Sequence, residues 1–333
     1  MEKRRLILKA IAATLLSSQV KHVWASDNKL INQPKLATTQ RYDISLSQWS
    51  FHRQILGNSK VDYPLFIKTL HSSPDDLLTG PLDTRDIVVK AYELKVGIVD
   101  LVNILFFAHA QNTQWLRNFK ARAQEHNVSF AVLMYDETGS IGASSKTQRK
   151  QAIEQHKPWL EAAAELGCKQ LRVNAYGDGT YLQQLNNCAE SLITLADLAK
   201  QHDLELLVEN HGNASNIGAW LAMLMEHTNH ENLGLFTDFD NFFMGGWNIN
   251  PERRYDRFQG LIDLAPYTRG VSAKSHHFTS DGLETTIDYQ ACLNILTAAG
   301  FNGIVSAEFE GNHYSEFKGS QATIELLKRY QTT

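Results

Sequence analysis

From Tyr42 onward the apolar residues fall into two alternating rhythms. Eight short, β-rich runs read as strands with a buried face: YDISLSQWSF (42–51), VGIVDLVNILF (96–106), VSFAVLMYDE (128–137), KQLRVNAYG (169–177), LELLVENHG (204–212), LGLFTDFDNF (233–242), GVSAKSHHF (270–278) and GIVSAEFEG (303–311). Between them lie stretches such as QAIEQHKPWLEAAAELG and CAESLITLADLAKQH, whose apolar residues recur at three and four. Glycines punctuate the helix ends, with Gly167 after the first stretch and Gly300 after YQACLNILTAA. A repeated β-then-α order calls for right-handed crossovers between parallel strands. Eight such units predict a single-domain α/β chain folded as a (β/α)8 TIM barrel over 42–333. No GxGxxG turn or Walker loop follows a strand, so a nucleotide-binding sheet has no local support. Between Phe51 and Arg85 the spacing is irregular, and residues 52–84 read as a lid over the barrel mouth or as a plain insertion.

The first 41 residues follow another pattern. Lys3, Arg4 and Arg5 lead into an apolar run from Leu6 to Leu16, and Val23-Trp24-Ala25 places small residues where a signal peptidase cuts. The apolar run is too short for a comfortable bilayer span. KRRLILK is similar to a twin-arginine motif, with Lys3 where Ser or Thr is usual. Residues 1–25 are therefore expected to be an export signal and 26–41 a polar linker, with a periplasmic or otherwise exported destination and no membrane attachment once the signal is removed.

At 43% hydrophobic and 20% charged residues the chain is globular rather than disordered. A net charge of −4 argues against a nucleic-acid partner, whose footprint is basic. Cys168, Cys188 and Cys292 stand far apart and read as small buried apolar residues.

Candidate chemistry gathers at the ends of the last four strands, where a barrel enzyme places its site. Strand five ends in Glu209-Asn210-His211, strand six in Asp238-Phe239-Asp240, strand seven in Lys274-Ser275-His276-His277 and strand eight in Glu308-Phe309-Glu310. A lone strand-end Asp is commonly a helix cap and a lone Glu commonly solvated. Acids recurring in successive βα units after apolar strands are costly to bury unless a cation neutralises them. Glu209, Asp238, His276 and Glu308 thus form a candidate metal set. Three carboxylates and one imidazole suit one divalent ion, Mn²⁺ first, with Mg²⁺, Co²⁺ or Zn²⁺ as alternatives. Side chains alternate along a strand, so 272, 274 and 276 share a face and His277 points away. Asp240 and Glu310 are fallback ligands or substrate contacts. Lys274 stabilises an oxyanion or pairs with an acid, and Arg172, Asn174 and His211 are candidate hydroxyl binders. Trp49, with His52, offers a face for a sugar.

With VENHG, DFDNF, GVSAKSH and EFEG, the chain resembles the xylose isomerase-like TIM barrels, the sugar phosphate isomerases/epimerases, over roughly Ile44 to Tyr330. The resemblance implies that Glu209, Asp238, His276 and Glu308 are the ligands and that Glu209 and Glu308 double as the acid/base pair. Many relatives carry the ligating histidine two residues before the lysine, and Ser272 stands there in this chain. The activity implied is metal-dependent proton abstraction beside a sugar carbonyl through an enediolate, in an isomerase or epimerase acting on a free or keto-sugar. A lyase acting on 3-keto-glycosides is the alternative. An apurinic-endonuclease-like role and a non-catalytic sugar-binding barrel are weaker, the first for acidity and export, the second because both glutamates are present. Protein recovered from the native host is expected to begin near residue 26. An intact Met1 on soluble periplasmic protein, by N-terminal sequencing, would overturn the signal.

Overall fold

The computed structural model describes residues 41–245 and 249–332. Eight parallel strands close into one barrel in chain order, β1 (Asp43–Ser47), β2 (Ile98–Val102), β3 (Ser129–Met134), β4 (Gln170–Asn174), β5 (Glu205–Glu209), β6 (Leu233–Asp238), β7 (Thr268–Ser275) and β8 (Ile304–Phe309), with β8 pairing back onto β1. A parallel pair cannot be joined by a hairpin, so each strand is followed by a helix that covers the outside. The long ones are Thr113–Glu125, Lys146–Leu166, Tyr181–Gln201, Gly218–Thr228, Tyr289–Ala298 and Glu316–Tyr330. Helix Lys146–Leu166 ends where Gly167 takes φ of +89°, a left-handed cap that spares the helix a strained side chain. The predicted signal and linker lie outside the described residues apart from Arg41. No described helix is long and apolar enough to cross a membrane. All three cysteines are free and buried.

The strands are shorter than the apolar runs that announced them. After β1 the chain turns at once into a 3-10 segment, Gln48–Phe51, where the Ser47 hydroxyl accepts the N–H of Trp49. After β2 it does so again at Asn103–His109. Apolar residues continue past both strand ends because the 3-10 segments bury Phe51, Leu105 and Phe106 under the helical shell. In the other direction β7 starts at Thr268, two residues earlier than its run suggests, and stops at Ser275, so His276 and His277 lie beyond it.

The irregular segment is an ordered wall. Helices His52–Leu56 and Tyr63–Ser72 bury Ile55, Phe66 and Leu70. Its return is pinned by Gly80 N–H to the Ile55 carbonyl and Leu82 N–H to the Gln54 carbonyl, both 2.9 Å. Lys60, Tyr63 and Phe66 face the cavity at the barrel mouth.

A polar cluster crosses the barrel interior. Asp100 on β2 is fully buried, accepts from the Ser45 hydroxyl and takes the Val132 N–H at 3.2 Å. Burial pushes its pKa from the ordinary 3.8 to about 6, against the hydrogen bonds of Ser306, Ser45 and Val132. The folded state therefore binds more protons than the unfolded one between those values. Stability should fall as pH rises from about 4 to about 6 and stay lower above it. Asp100→Asn should flatten that part of the curve and stabilise the barrel at pH 7 by an amount on the order of 2 kcal/mol, because the serine hydroxyls can turn round and accept. Urea melts of both proteins at pH 4 and pH 7 check this; equal loss of stability with pH in both assigns the effect elsewhere.

Candidate active site

The register of the last four strands brings their ends to one level. Asn174 pairs with Glu209, Asp238 with Ser272 and Lys274 with Glu308. Four charged side chains thereby enter the mouth nearly out of water: Glu209, Asp238, Lys274 and Glu308 are 2%, 0%, 6% and 5% exposed. The Lys274 ammonium is their hub. Its Nζ lies 3.4 Å from Glu308 Oε1, 3.6 Å from Asp238 Oδ2 and 3.5 Å from Glu310 Oε1, and donates to Asn241 Oδ1 at 3.2 Å. Asn241 in turn donates to Glu209 Oε1 at 3.2 Å. The second oxygen of Glu209 faces Arg172 Nε at 2.7 Å, close but out of hydrogen-bond alignment. Arg172 is held from the far side by Asp136 Oδ1 at 2.6 Å.

These positions set the protonation. Burial drives the Glu209 carboxyl well above the usual carboxylate range; Arg172 opposes this and Asp238 and Glu308 add to it. Burial likewise pushes Glu308 up to about 7, with Lys274 opposing and Glu310 and Asp238 reinforcing. Glu310 ends at about 2: burial raises it, but Lys274, His52, His276 and the Trp49 indole outweigh burial. Lys274 stays charged because Asp238, Glu310, Glu308 and Glu209 overcome its desolvation. The centre thus holds a fixed cation between acids of unlike strength, the arrangement that acid/base chemistry requires.

A model of the xylose isomerase-like TIM barrel matches residues 91–330. The chain belongs to that family. A search of curated proteins finds no match. Among solved structures, D-allulose 3-epimerase from Methylomonas sp. is 12% identical with a TM-score of 0.61, over 89% of this chain and all of that one (100%). The 3-keto-D-glucoside 4-epimerase from E. coli is 15% identical with a TM-score of 0.58, over 86% and 99%. A xylose isomerase domain protein from Planctomyces limnophilus is 15% identical with a TM-score of 0.59, over 88% and 97%. At these identities the likeness is one of fold.

In this xylose isomerase-like barrel the four expected metal ligands are divided rather than gathered. Glu209 and Glu308 line the cavity, whereas Asp238 lies beneath Lys274 and off the cavity wall. One Asp238 oxygen is already committed to the N–H groups of Asp240 and Asn241, both at 2.7 Å, as a turn-bracing Asp. His276 stands at the rim, its Nε2 3.2 Å from Asp240 Oδ2. Asp240 is also bound by Arg254 and Arg257, and these cations and His276 lower its pKa despite burial. Among the described residues no three His, Cys, Asp or Glu side chains are arranged to hold a metal ion. Hard divalent ions need oxygens at about 2.0–2.6 Å. An ion at such a distance from Asp238 Oδ2 and Glu308 Oε1 would press against the ammonium that shares those oxygens. The residues present do not fit a divalent ion, and the reason is Lys274.

The candidate substrate contacts are equally specific. Arg172 and His211 line the cavity, but Asn174 turns aside to donate to Asp136 at 2.6 Å and orients Arg172. His211 bonds through Nδ1 to the Tyr176 hydroxyl at 2.7 Å, and burial lowers its pKa to about 4, so it is neutral at pH 7. Trp49 has company over its ring: His52 stacks on it at 4.3 Å and Lys60 Nζ lies 4.2 Å from its centre. It offers its indole N–H, which donates to Glu310 at 2.7 Å, rather than a bare face for a sugar. His277 packs against His313 with ring centres 4.4 Å apart. Asp136, Asn241, Lys60, Arg254 and Arg257 escaped the sequence reading. Asp136 ends the third strand run and carried the same strand-end signal as the acids that were found; Asn241 lies just past the sixth strand, Lys60 and Arg254 lie between helices and strands, and Arg257 opens the helix Arg257–Leu264.

The two strand ends are clamped together. Glu310 N–H donates to the Ser275 carbonyl at 2.9 Å, and a methyl group added to Gly311 would overlap the carbonyl oxygen of His276. Gly311→Ala should push the β7 and β8 ends apart and destabilise the barrel by about 1–3 kcal/mol. An unchanged urea midpoint would show that the two ends yield freely.

Proposed function

We propose that this chain is a sugar isomerase or epimerase that abstracts and returns a proton beside a carbonyl of a free or keto-sugar, with Glu209 and Glu308 as the acid/base pair. One observation carries the reading: both glutamates line the same cavity from different strands, on a centre whose cation, Lys274, is held between them by Glu308 and Asn241. A carboxylate on one side takes the C–H proton, the electron pair moves onto the carbonyl oxygen, and an N–H donor facing that oxygen stabilises the enediolate. The opposite acid, already protonated, returns a proton to the other face. Burial weakens both acids, raising Glu308 to about 7 and Glu209 well above the usual carboxylate range, which suits this exchange of roles. Structural neighbours named as epimerases of D-allulose and of a 3-keto-D-glucoside, one solved with D-allulose bound, support a sugar of this kind.

A second reading, β-elimination from a 3-keto-glycoside, is favoured by the size of the cavity. At about 1430 Å³ it exceeds the roughly 300–1,000 Å³ of common small-molecule sites and leaves room for a leaving group beyond the sugar ring. The same proton abstraction starts both reactions. The basic-then-apolar order of residues 1–25 supports export, by the twin-arginine route, and so an unphosphorylated substrate.

Glu308→Gln and Glu209→Gln should each lower turnover by a factor on the order of 10² to 10⁴ while leaving substrate binding largely intact. Proton NMR of candidate keto-sugars in D₂O reads both halves of the reaction. An epimerase variant should still exchange the proton on the side whose glutamate remains, without inverting the carbon. A lyase should lose activity in one variant and keep most of it in the other. Full turnover in both would remove the acid/base assignment.

A further inference from the structure

We infer that Lys274 is the resident cation of this barrel, taking the place of a divalent metal ion and supplying the N–H donor that polarises the substrate oxygen. The inference rests on the reaction class proposed above and adds to it the identity of the electrophile.

Three observations converge. First, Lys274 Nζ sits against Glu308, Asp238 and Glu310 and lines the cavity, so its charge neutralises the acids and also meets whatever enters. Second, position 272, two residues before it on the same strand face, is a serine, whose single buried hydroxyl beside Asp238 is a poor ligand for a divalent ion. Third, the nearest histidine on that face, His276, is occupied by Asp240 at the rim. A protein that needed an ion here would have to expel an ammonium from among its ligands.

The lysine is free to act in this way. Its ion pairs are 3.4–3.6 Å long, beyond well-aligned hydrogen bonds, so an approaching carbonyl oxygen can take one of its three N–H donors. Asp238, beneath it and off the cavity wall, stays behind as the counter-charge. No electron or ion is required from outside: the C–H proton goes to a glutamate, the electron pair to oxygen, and the ammonium remains protonated throughout.

The test uses the full chain. It is incubated with Mn²⁺, Mg²⁺, Co²⁺ or Zn²⁺, desalted, and assayed for bound metal by elemental analysis and for thermal unfolding with and without EDTA. Metal far below one ion per chain and a Tm indifferent to EDTA are expected. About one ion per chain, with a Tm lowered by EDTA, overturns the inference. A double variant, Ser272→His with Lys274→Gln, restores a ligand and removes the obstructing charge. It should take up close to one Co²⁺ per chain, seen in the visible d–d band. A folded double variant that takes up no more Co²⁺ than the parent overturns the role of Lys274 as the excluding group, and if it does not fold the parent measurement decides. None of these readouts needs a substrate. A metal-free parent that exchanges no sugar proton would refute the proposed reaction while leaving Lys274 as the site's cation.

Discussion

The barrel mouth depends on one constraint: Glu209, Asp238 and Glu308 are carried out of water together beside a half-buried Glu310, and something positive must go with them. Lys274 does most of this, reaching three of the four and bonding to Asn241. Burying an unpaired carboxylate costs several kcal/mol, and removing one partner of a buried ion pair leaves that cost exposed. The strand register around it follows as a requirement. Lys274 opposite Glu308, and Ser272 opposite Asp238, are the pairings that put the ammonium at the common point.

Arg172 plays the corresponding part for the other half of the mouth. It stands between Glu209 and Asp136, while Asn174 accepts from Arg172 and donates to Asp136. The two cations differ in what they leave over. Both line the cavity, but Arg172 is a rigid fork held at 2.6 Å and 2.7 Å by Asp136 and Glu209, whereas Lys274 makes longer contacts of 3.4–3.6 Å. Function is accordingly read from Lys274 and the glutamates, and Arg172 is a positioning residue that holds Glu209.

The outer ring is built on a second network, Asp240 with Arg254, Arg257 and His276. It shapes the entrance and is tied to the inner cluster by the Asp240 N–H, which donates to Asp238 Oδ1 at 2.7 Å. The wall formed by residues 52–84 closes the other side through Lys60 and Tyr63. Glu209, Asp238, Lys274 and Glu308 are nearly out of water at this site, which strengthens the charge interactions among them.

Much of this was legible beforehand. Eight β-then-α units leave a barrel as the closed solution, because parallel strands need crossovers and a right-handed crossover winds the sheet one way. The same periodicity placed Glu209, Asp238, Lys274 and Glu308 at strand ends, since a strand-end position is a matter of counting along the chain. What counting cannot supply is depth and partnership. Asp238 and Lys274 both end strands, yet only the folded chain puts the lysine above the aspartate and between it and the cavity. His276 shares a strand face with Ser272, yet β7 ends at Ser275 and the imidazole goes to Asp240 at the rim. Sequence periodicity determined the barrel and the level at which its charges gather, because those follow from local geometry repeated eight times. Which charge neutralises which was decided only by tertiary structure, because Coulomb energy depends on distances of a few ångström between strands far apart in the chain.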